Sequence, residues 1–174
     1  MIAVVGPSGV GKDSVIAGIA AARPDLIRVR RAITRPPSGT EPFESVTEAE
    51  FARRRGAGGF CLDWRAHGLS YGIPVAAERA VLAGGTAVAN LSRGVLGRAA
   101  ARMPLRVLRV AARPETLAAR LRGRGREGGA EIAARLSRGA SLPQGLDVTE
   151  VDNDGALEDA VAAALAALPQ PVRG

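Results

Sequence analysis

Residues 6–14 read Gly6-Pro7-Ser8-Gly9-Val10-Gly11-Lys12-Asp13-Ser14. This stretch is close to the pattern G-x-x-x-x-G-K-[ST], a loop whose backbone N–H groups surround phosphate groups. The apolar run of residues 2–5 before it predicts a buried strand, and residues 13–22 after it predict a helix. Strand, glycine-rich turn and helix bring the positive end of the helix dipole to the loop. The nine residues therefore predict a binding site for a polyphosphate.

The basic residue of this loop is unusual within the chain. Lys12 is the single lysine among the 24 lysines and arginines. A chain that uses arginine everywhere else indicates that this position needs a compact ammonium rather than a planar guanidinium. An ammonium that inserts between two phosphate groups meets that need, so Lys12 is a candidate catalytic residue.

The loop departs from its pattern at one position. Asp13 stands where a serine or threonine hydroxyl is expected to bind Mg²⁺. A carboxylate is also a hard oxygen ligand, so Asp13 is a candidate metal ligand. The alternative is that Asp13 is only a favourable first-turn acid at a helix N-terminus.

Length and composition favour one globular domain. The chain has 174 residues, of which 47% are apolar and 3% aromatic. No stretch has the unbroken apolar length of a membrane helix, and the N-terminus lacks the basic start of a leader peptide. A single cysteine, Cys61, excludes an internal disulfide. We therefore expect a cytoplasmic protein without a membrane partner.

The formal net charge of +7 indicates an anionic partner. Nucleic acid is one such partner, and a small polyanionic substrate together with ATP is another. One tyrosine, one tryptophan and three phenylalanines supply few stacking surfaces for single strands. We therefore expect no specific nucleic-acid partner, and the oligomeric state stays open.

Apolar runs alternate with alanine-rich stretches along the chain, which predicts an α/β fold with a parallel sheet flanked by helices. Strands are expected at 2–5, 86–91, 105–111 and 148–152, with short strands around 60–64, and helices at 13–22, 47–55, 75–83, 94–102, 115–123, 130–140 and 155–168. Thr47 and Glu50 fit a capping box. The domain is expected to span 1–169, with an acceptor-binding insertion at 33–74, a helical lid at 120–138 and a tail at 170–174.

Several segments resemble the guanylate-kinase-like family of P-loop kinases, in the same order along nearly the whole chain. They are the phosphate loop, Ile33-Thr34-Arg35-Pro36, Val46-Thr47-Glu48-Ala49-Glu50-Phe51, His67-Gly68-Leu69-Ser70-Tyr71-Gly72, Arg120-Leu121-x-x-Arg124-Gly125, Ile132-Ala133-Ala134-Arg135-Leu136 and Val151-Asp152-Asn153-Asp154. The resemblance implies a P-loop NTPase fold that uses ATP and Mg²⁺. It also implies that Arg35 and Tyr71 bind the acceptor phosphate, that Arg124 and Arg135 of the lid clamp the transferring group, and that Asn153 lies near the adenine. For each arginine, a solvated surface position is the alternative.

The chain departs from guanylate kinases where those enzymes read the base. Leu62 stands at the position of an acid that contacts guanine, and residues 90–94 hold no acid where a second one is expected. A pocket without these acceptors should reject guanine. Around the acceptor phosphate, Ser38 and Phe43 stand where a second arginine and a tyrosine hydroxyl are expected.

A chain that keeps the phosphate site but lacks the base site resembles the ribose 1,5-bisphosphate phosphokinases of phosphonate breakdown. Asn90-x-Ser92-Arg93 and the segment from Trp64 to Gly72 are similar to that group. The resemblance implies transfer of the ATP γ-phosphoryl group to the 1-phosphate of ribose 1,5-bisphosphate, giving phosphoribosyl diphosphate and ADP. Ser92 and Arg93 would bind the substrate, with a surface charge as the alternative for Arg93. The alternatives for the whole chain are a nucleoside monophosphate kinase and a non-catalytic binding module.

His67 is the single histidine of the chain. A phosphate acceptor is already ionised at neutral pH, so this reaction needs no general base. We therefore expect His67 to hold the loop before Tyr71 rather than to transfer protons.

Overall fold

The computed structural model describes residues 1–37, 42–123 and 142–169. The predicted helix at 130–140, most of the predicted lid and the tail at 170–174 lie outside these ranges. The strands are β1 (Ile2–Val5), β2 (Ile27–Arg28), β3 (Ala32–Ile33), β4 (Glu44–Ser45), β5 (Phe60–Ala66), β6 (Leu69–Pro74), β7 (Ala87–Asn90), β8 (Arg106–Ala111) and β9 (Asp147–Asp152). The helices are α1 (Lys12–Ala22), α2 (Glu48–Gly56), α3 (Val75–Leu82), α4 (Leu96–Ala100), α5 (Pro114–Gly123) and α6 (Leu157–Ala166), and a 3₁₀ turn, Arg93–Val95, precedes α4.

Five strands form a parallel sheet in the order β2-β7-β1-β8-β9. Strand β1 lies at the centre, and alternate residues of it face opposite sides. Ile2 and Val4 pack in a cluster with α1 and α6, whereas Ala3 and Val5 pack in a second cluster with α3 and α4. A parallel sheet covered by helices on both faces is the expected arrangement for such apolar strands. The predicted α/β fold is therefore confirmed.

A second sheet of four strands follows the order β4-β3-β6-β5. Strands β5 and β6 form an antiparallel hairpin, and β3 pairs antiparallel with β6 and parallel with β4. Leu62 and Ile73, which lie opposite each other in the hairpin, are buried in the cluster that contains Ala3 and Val5. This sheet thus packs beside the main sheet and falls within the range predicted as an insertion.

The predicted elements agree closely with the structure inside the described ranges. The predicted strands are present as β1, β5, β7, β8 and β9, and Pro114 begins α5 as its position predicts. The helix expected at 94–102 is shorter, because residues 93–95 form the 3₁₀ turn. Strand β2 was not predicted, since two residues are too few to show a periodic pattern.

Half of the predicted capping box is present at the start of α2. The Thr47 hydroxyl accepts a hydrogen bond from the Glu50 N–H at 3.1 Å. The Glu50 carboxylate, however, accepts hydrogen bonds from Arg53 and Arg54, and these lower its pKa to about 2. The two guanidinium groups, one turn away on the same helix, are stronger donors than a backbone N–H.

Cys61 is a core residue of β5, 6% exposed. Burial, and then the nearby Glu78 carboxylate, raise the pKa of its thiol. In the parts of the chain that the structure describes, no helix is long and apolar enough to cross a membrane.

Candidate active site

Two glycines of the loop between β1 and α1 combine a positive φ with packing that leaves no room for a Cβ. Gly6 has a φ of 153° and Gly11 a φ of 92°. A Cβ at Gly6 would collide with the carbonyl oxygen of Val110, and one at Gly11 with the side-chain amide of Asn153. Positive φ and close packing both favour glycine here. The loop backbone therefore turns tightly at the C-terminal end of β1 before α1 begins.

Lys12 is the first residue of α1, and its ammonium folds back over the loop. Its Nζ donates hydrogen bonds to the carbonyl oxygens of Gly6 at 3.0 Å and Pro7 at 2.8 Å. These contacts hold the charged group inside the loop. The ammonium is thus placed where the loop motif predicts phosphate groups.

Asp13 lies in the first turn of α1 and contacts the end of a different strand. Its Oδ1 accepts a hydrogen bond from Nδ2 of Asn90, the last residue of β7, at 3.1 Å. Both side chains line the same cleft. Because the carboxyl ends of parallel strands gather at the loop edge of the sheet, β7 brings Asn90 beside a helix that begins after β1.

Asn153 follows β9 and is only 4% exposed. Its Nδ2 donates to the carbonyl oxygen of Val10 at 2.7 Å, and its backbone N–H donates to Ala111 at 2.8 Å. The sequence places Asn153 near the adenine, whereas the structure gives its amide a partner in the phosphate loop. The side chain therefore joins the end of β9 to the loop.

Arg35 follows β3 on a segment that two hydrogen bonds hold in place. The Thr34 hydroxyl accepts a hydrogen bond from the Ser70 N–H at 2.9 Å, and the Ser45 hydroxyl donates to the Arg35 carbonyl oxygen at 2.6 Å. The Arg35 guanidinium lies over the Phe43 ring, with its Cζ 4.4 Å from the ring centroid. Phe43 thus supports the arginine in place of donating a hydroxyl group.

Tyr71 lies in β6 directly opposite Trp64 in β5. The two rings are stacked, with centroids 5.3 Å apart and an interplanar angle of 4°. Arg31, which precedes β3, lies over the ring of the same tyrosine, with its Cζ 5.6 Å from the Tyr71 centroid. The stack makes one wall of the cleft.

Ser92 and Arg93 follow β7 and begin the 3₁₀ turn. Both line the cleft, and so does His67. His67 has a φ of 51°, the single positive value outside glycine in the described ranges, and Gly68 has a φ of 74°. Positive φ at both central residues is what a two-residue type I′ hairpin turn requires. His67 therefore forms the turn between β5 and β6, and its loop-holding role stays a prediction.

These residues surround one cleft of about 330 Å³. Among the predicted site residues, those that line it are Gly6, Pro7, Ser8, Lys12, Asp13, Arg35, Tyr71, Ser92 and Arg93. Four of the lining side chains are cationic, namely Lys12, Arg31, Arg35 and Arg93, against one carboxylate. Such a cleft attracts polyanions.

The other predicted residues lie elsewhere. Val10 is fully buried in the core, Ser14 is exposed, and Gly9, Gly11 and Asn153 belong to the loop or its support rather than to the cleft lining. Arg124 and Arg135 lie outside the described residues. Their role in a lid stays a prediction.

The sequence did not assign Arg31, Trp64 and Asn90 to the site, although all three line the cleft. Asn90 carried a signal, because a polar residue that ends an apolar parallel strand lies at the edge where ligands bind. Arg31 was one of several neighbouring arginines without a distinguishing pattern. Trp64 was equally consistent with core packing.

The strand order, the glycine-rich loop and the lysine folded into it define a P-loop kinase. A crystal structure of guanylate kinase from Anaplasma phagocytophilum matches with a TM-score of 0.65 and 16% identity, covering 94% of this chain and 81% of that one. A gluconokinase from Sinorhizobium meliloti 1021 matches with a TM-score of 0.56 and 20% identity, covering 95% and 89%. At these identities the likeness shows the fold.

Sequence relatives identify the family. The ribose 1,5-bisphosphate phosphokinase PhnN of Ruegeria sp. (strain TM1040) is 53% identical over 171 residues, 95% of this chain and 90% of that protein. The protein of the same name from Agrobacterium fabrum is 46% identical, covering 92% and 91%. No protein-family model matches the chain. The chain belongs to the ribose 1,5-bisphosphate phosphokinase family.

Proposed function

We propose that the protein transfers the γ-phosphoryl group of ATP to the 1-phosphate of ribose 1,5-bisphosphate, producing 5-phosphoribosyl 1-diphosphate and ADP. The observation that carries the proposal is the cleft, where cations from the phosphate loop, from the second sheet and from the end of β7 face one space. The family's named activity supports it.

The wall of the cleft favours a sugar phosphate over a purine nucleotide. Leu62, at the position where guanylate kinases have a base-reading acid, is 1% exposed and packs in the core with Ile73 and Leu91. Asn90 and Ser92 stand where the second acid is expected. A site without these acceptors leaves guanine N–H groups unpaired, which costs much of the binding free energy.

The proposed step needs positioning and charge neutralisation rather than proton transfer. In it, an oxygen of the acceptor phosphate forms a bond to the γ-phosphorus, and the bond from that phosphorus to the β–γ bridging oxygen breaks. Lys12 holds the β- and γ-phosphates, and Arg35 and Tyr71 hold the acceptor phosphate. Such electrostatic stabilisation is the main source of catalysis in phosphoryl transfer.

At the far end of the cleft, Ser92 and Arg93 bind the second phosphate or the sugar of the substrate. Both line the same space as Tyr71. Lid arginines Arg124 and Arg135 would complete the site on the donor side, with a role in clamping the transferring group.

The residues beside Lys12 fit a magnesium ion. The described ranges contain no group of three or more His, Cys, Asp or Glu residues that would form an all-protein metal site. Mg²⁺ in kinases is held by one or two carboxylates together with substrate phosphates and water, and Asp13 supplies one carboxylate in the cleft. When bound, the ion would neutralise charge on the phosphates. Asp13 would hold it, directly or through water, and Asn90 would orient Asp13.

Release of ADP in a coupled assay tests the proposal, with ribose 1,5-bisphosphate and GMP compared as acceptors. We expect turnover with the sugar bisphosphate and a kcat/KM for GMP lower by about 10⁴-fold, the discrimination reached when buried polar groups are left unpaired. Preferential use of GMP would make the protein a nucleoside monophosphate kinase instead. Absence of ATP turnover with either acceptor would favour a non-catalytic binding module.

A further inference from the structure

Three neighbouring side chains line one wall of the cleft: Trp64, Tyr71 and Arg31. Trp64 stacks on Tyr71 with a centroid distance of 5.3 Å, and the Arg31 Cζ lies 5.6 Å from the Tyr71 ring centroid. A guanidinium within about 6 Å of an aromatic centroid is attracted by the ring. This contact therefore holds the Arg31 guanidinium beside Tyr71 in the cleft.

The backbone of Arg31 is fixed from both sides. Its carbonyl oxygen accepts a hydrogen bond from the Glu44 N–H at 2.8 Å. The next two residues form β3, where Ile33 lies opposite Tyr71 in β6. Arg31 and Tyr71 are thus held together by sheet pairing as well as by the contact of their side chains.

Arg31 borders two neighbouring pockets. One is the large cleft that Tyr71 and Arg35 also line. The other is a smaller pocket that Arg31 shares with Asp13 and Asn90. Arg31 consequently lies near the Asp13–Asn90 pair as well as near Tyr71 and Arg35.

We infer that Arg31 is a second guanidinium ligand of the acceptor phosphate, acting beside Arg35. The inference rests on the proposed function and adds a residue that sets the acceptor class. Position 38, where guanylate kinases are expected to carry their second acceptor arginine, is a serine here, and the wall of the cleft supplies the missing cation from Arg31 instead. Two guanidinium groups bind a dianionic phosphate bidentately and reduce its repulsion from the γ-phosphate. This arrangement selects acceptors that react through a phosphate oxygen.

The test compares Arg31→Gln and Arg31→Lys with Arg65→Gln. Arg65 is exposed on β5, one residue from Trp64, and is not part of the cleft lining, so its substitution removes the same charge nearby. Two quantities are measured for each variant: the Kd for ribose 1,5-bisphosphate by calorimetry, and the kinetic constants for acceptor and ATP. Circular dichroism and thermal unfolding check that each variant is folded.

We expect Arg31→Gln to weaken acceptor binding by about 10- to 100-fold, the effect of a lost charge-assisted hydrogen bond. The KM for ATP should stay within about twofold, since phosphate-loop contacts are intact. Arg31→Lys should recover part of the affinity because it restores the charge but not the bidentate geometry. Arg65→Gln should match the unaltered protein in all constants.

The two hypotheses fail in different ways. If the unaltered protein turns over ribose 1,5-bisphosphate and Arg31→Gln binds and uses it equally well, Arg31 is not an acceptor ligand while the proposed function stands. If the unaltered protein binds this acceptor without turnover and Arg31→Gln binds it more weakly, the proposed function fails while the role of Arg31 in phosphate binding stands. Absence of both binding and turnover overturns both.

Discussion

Asn90 donates a hydrogen bond to Asp13 across 77 positions of sequence, with Nδ2 3.1 Å from Oδ1. The amide fixes one carboxylate oxygen of Asp13, and both residues line the cleft. Asp13, which replaces the usual hydroxyl residue of the loop, is thus oriented by Asn90. Asn90 ends β7, where many kinases carry an acidic residue. The pair is a candidate holder of the metal, with Asp13 as ligand and Asn90 as positioning residue.

Asp13→Ala is expected to raise the Mg²⁺ concentration needed for half-maximal activity, and Asn90→Ala to raise it less. The reason is that the first variant removes the ligand and the second only its orientation; second partners of ligands contribute about 10- to 100-fold in metal affinity. Magnesium titrations of activity, and of ATP binding without acceptor, measure the effect. Asp159→Asn is the control, because Asp159 is likewise a first-turn acid, in α6. An unshifted titration for Asp13→Ala would return Asp13 to the role of a helix-capping acid.

Lys12→Ala is expected to reduce kcat by about 100-fold or more, because it removes the cation between the donor phosphates. The fold should remain, since Lys12 lines the cleft and its hydrogen bonds to Gly6 and Pro7 lie within the loop rather than in the core. Lys12→Arg should also be slow, as a guanidinium is too bulky for the space inside the loop. Steady-state kinetics beside far-UV circular dichroism check both statements. Activity near that of the unaltered protein in either variant would contradict the assignment of the loop lysine.

Asn153→Ala is expected to destabilise the protein by about 1–3 kcal/mol, the cost of leaving a buried carbonyl group without its partner. The group left unpaired is the Val10 carbonyl oxygen, which accepts a hydrogen bond from the Asn153 amide. Urea unfolding measures the stability, and ATP and GTP affinities are compared in the same variant. If Asn153 supports the loop, both nucleotides should weaken together. A selective loss of ATP would instead indicate that Asn153 reads the adenine.

Glu50→Gln is expected to lower the melting temperature at neutral pH. The difference from the unaltered protein should become smaller as the pH falls. Hydrogen bonds from Arg53 and then Arg54 lower the pKa of Glu50 from 4.5 to about 2. Stability from this carboxylate is therefore fully present above its ordinary pKa and is lost as pH falls towards about 2. Melting temperatures of both proteins across this window provide the measurement, with Glu115→Gln, a first-turn acid of α5, as control. A difference that stays constant down to the lowest pH would rule out the ionised pair as its source.

Local features of the sequence predicted much of the fold. Residues 6–14 are contiguous, so the phosphate loop and the strand and helix around it were accessible to pattern and spacing alone. The apolar runs that became β7 and β8 were equally clear, because both faces of a parallel sheet are buried and the strands read as continuous apolar stretches. Strand β9 gave a weaker signal, since it lies at the edge of the sheet and most of its residues are exposed. The resemblance to a kinase family then indicated how these segments are arranged in the fold.

Relationships between distant segments were not predictable in the same way. Arg31 meets Tyr71 because β3 pairs with β6, and Asn90 meets Asp13 because β7 lies beside β1. The sequence also did not show which donors bind the Glu50 carboxylate. Glu50 suits a capping box, but Arg53 and Arg54 donate hydrogen bonds to its carboxylate instead. Such outcomes depend on three-dimensional neighbours, which spacing along the chain does not give.

The stacked pair in the wall of the cleft makes the protein its own optical probe. Trp64 and Tyr71 are the sole tryptophan and the sole tyrosine of the chain. Any change in intrinsic indole emission therefore originates beside the proposed acceptor site, with no background from other tryptophans. Stopped-flow fluorescence of the unlabelled enzyme can follow acceptor arrival separately from nucleotide arrival, and so reveal the order in which the two substrates bind.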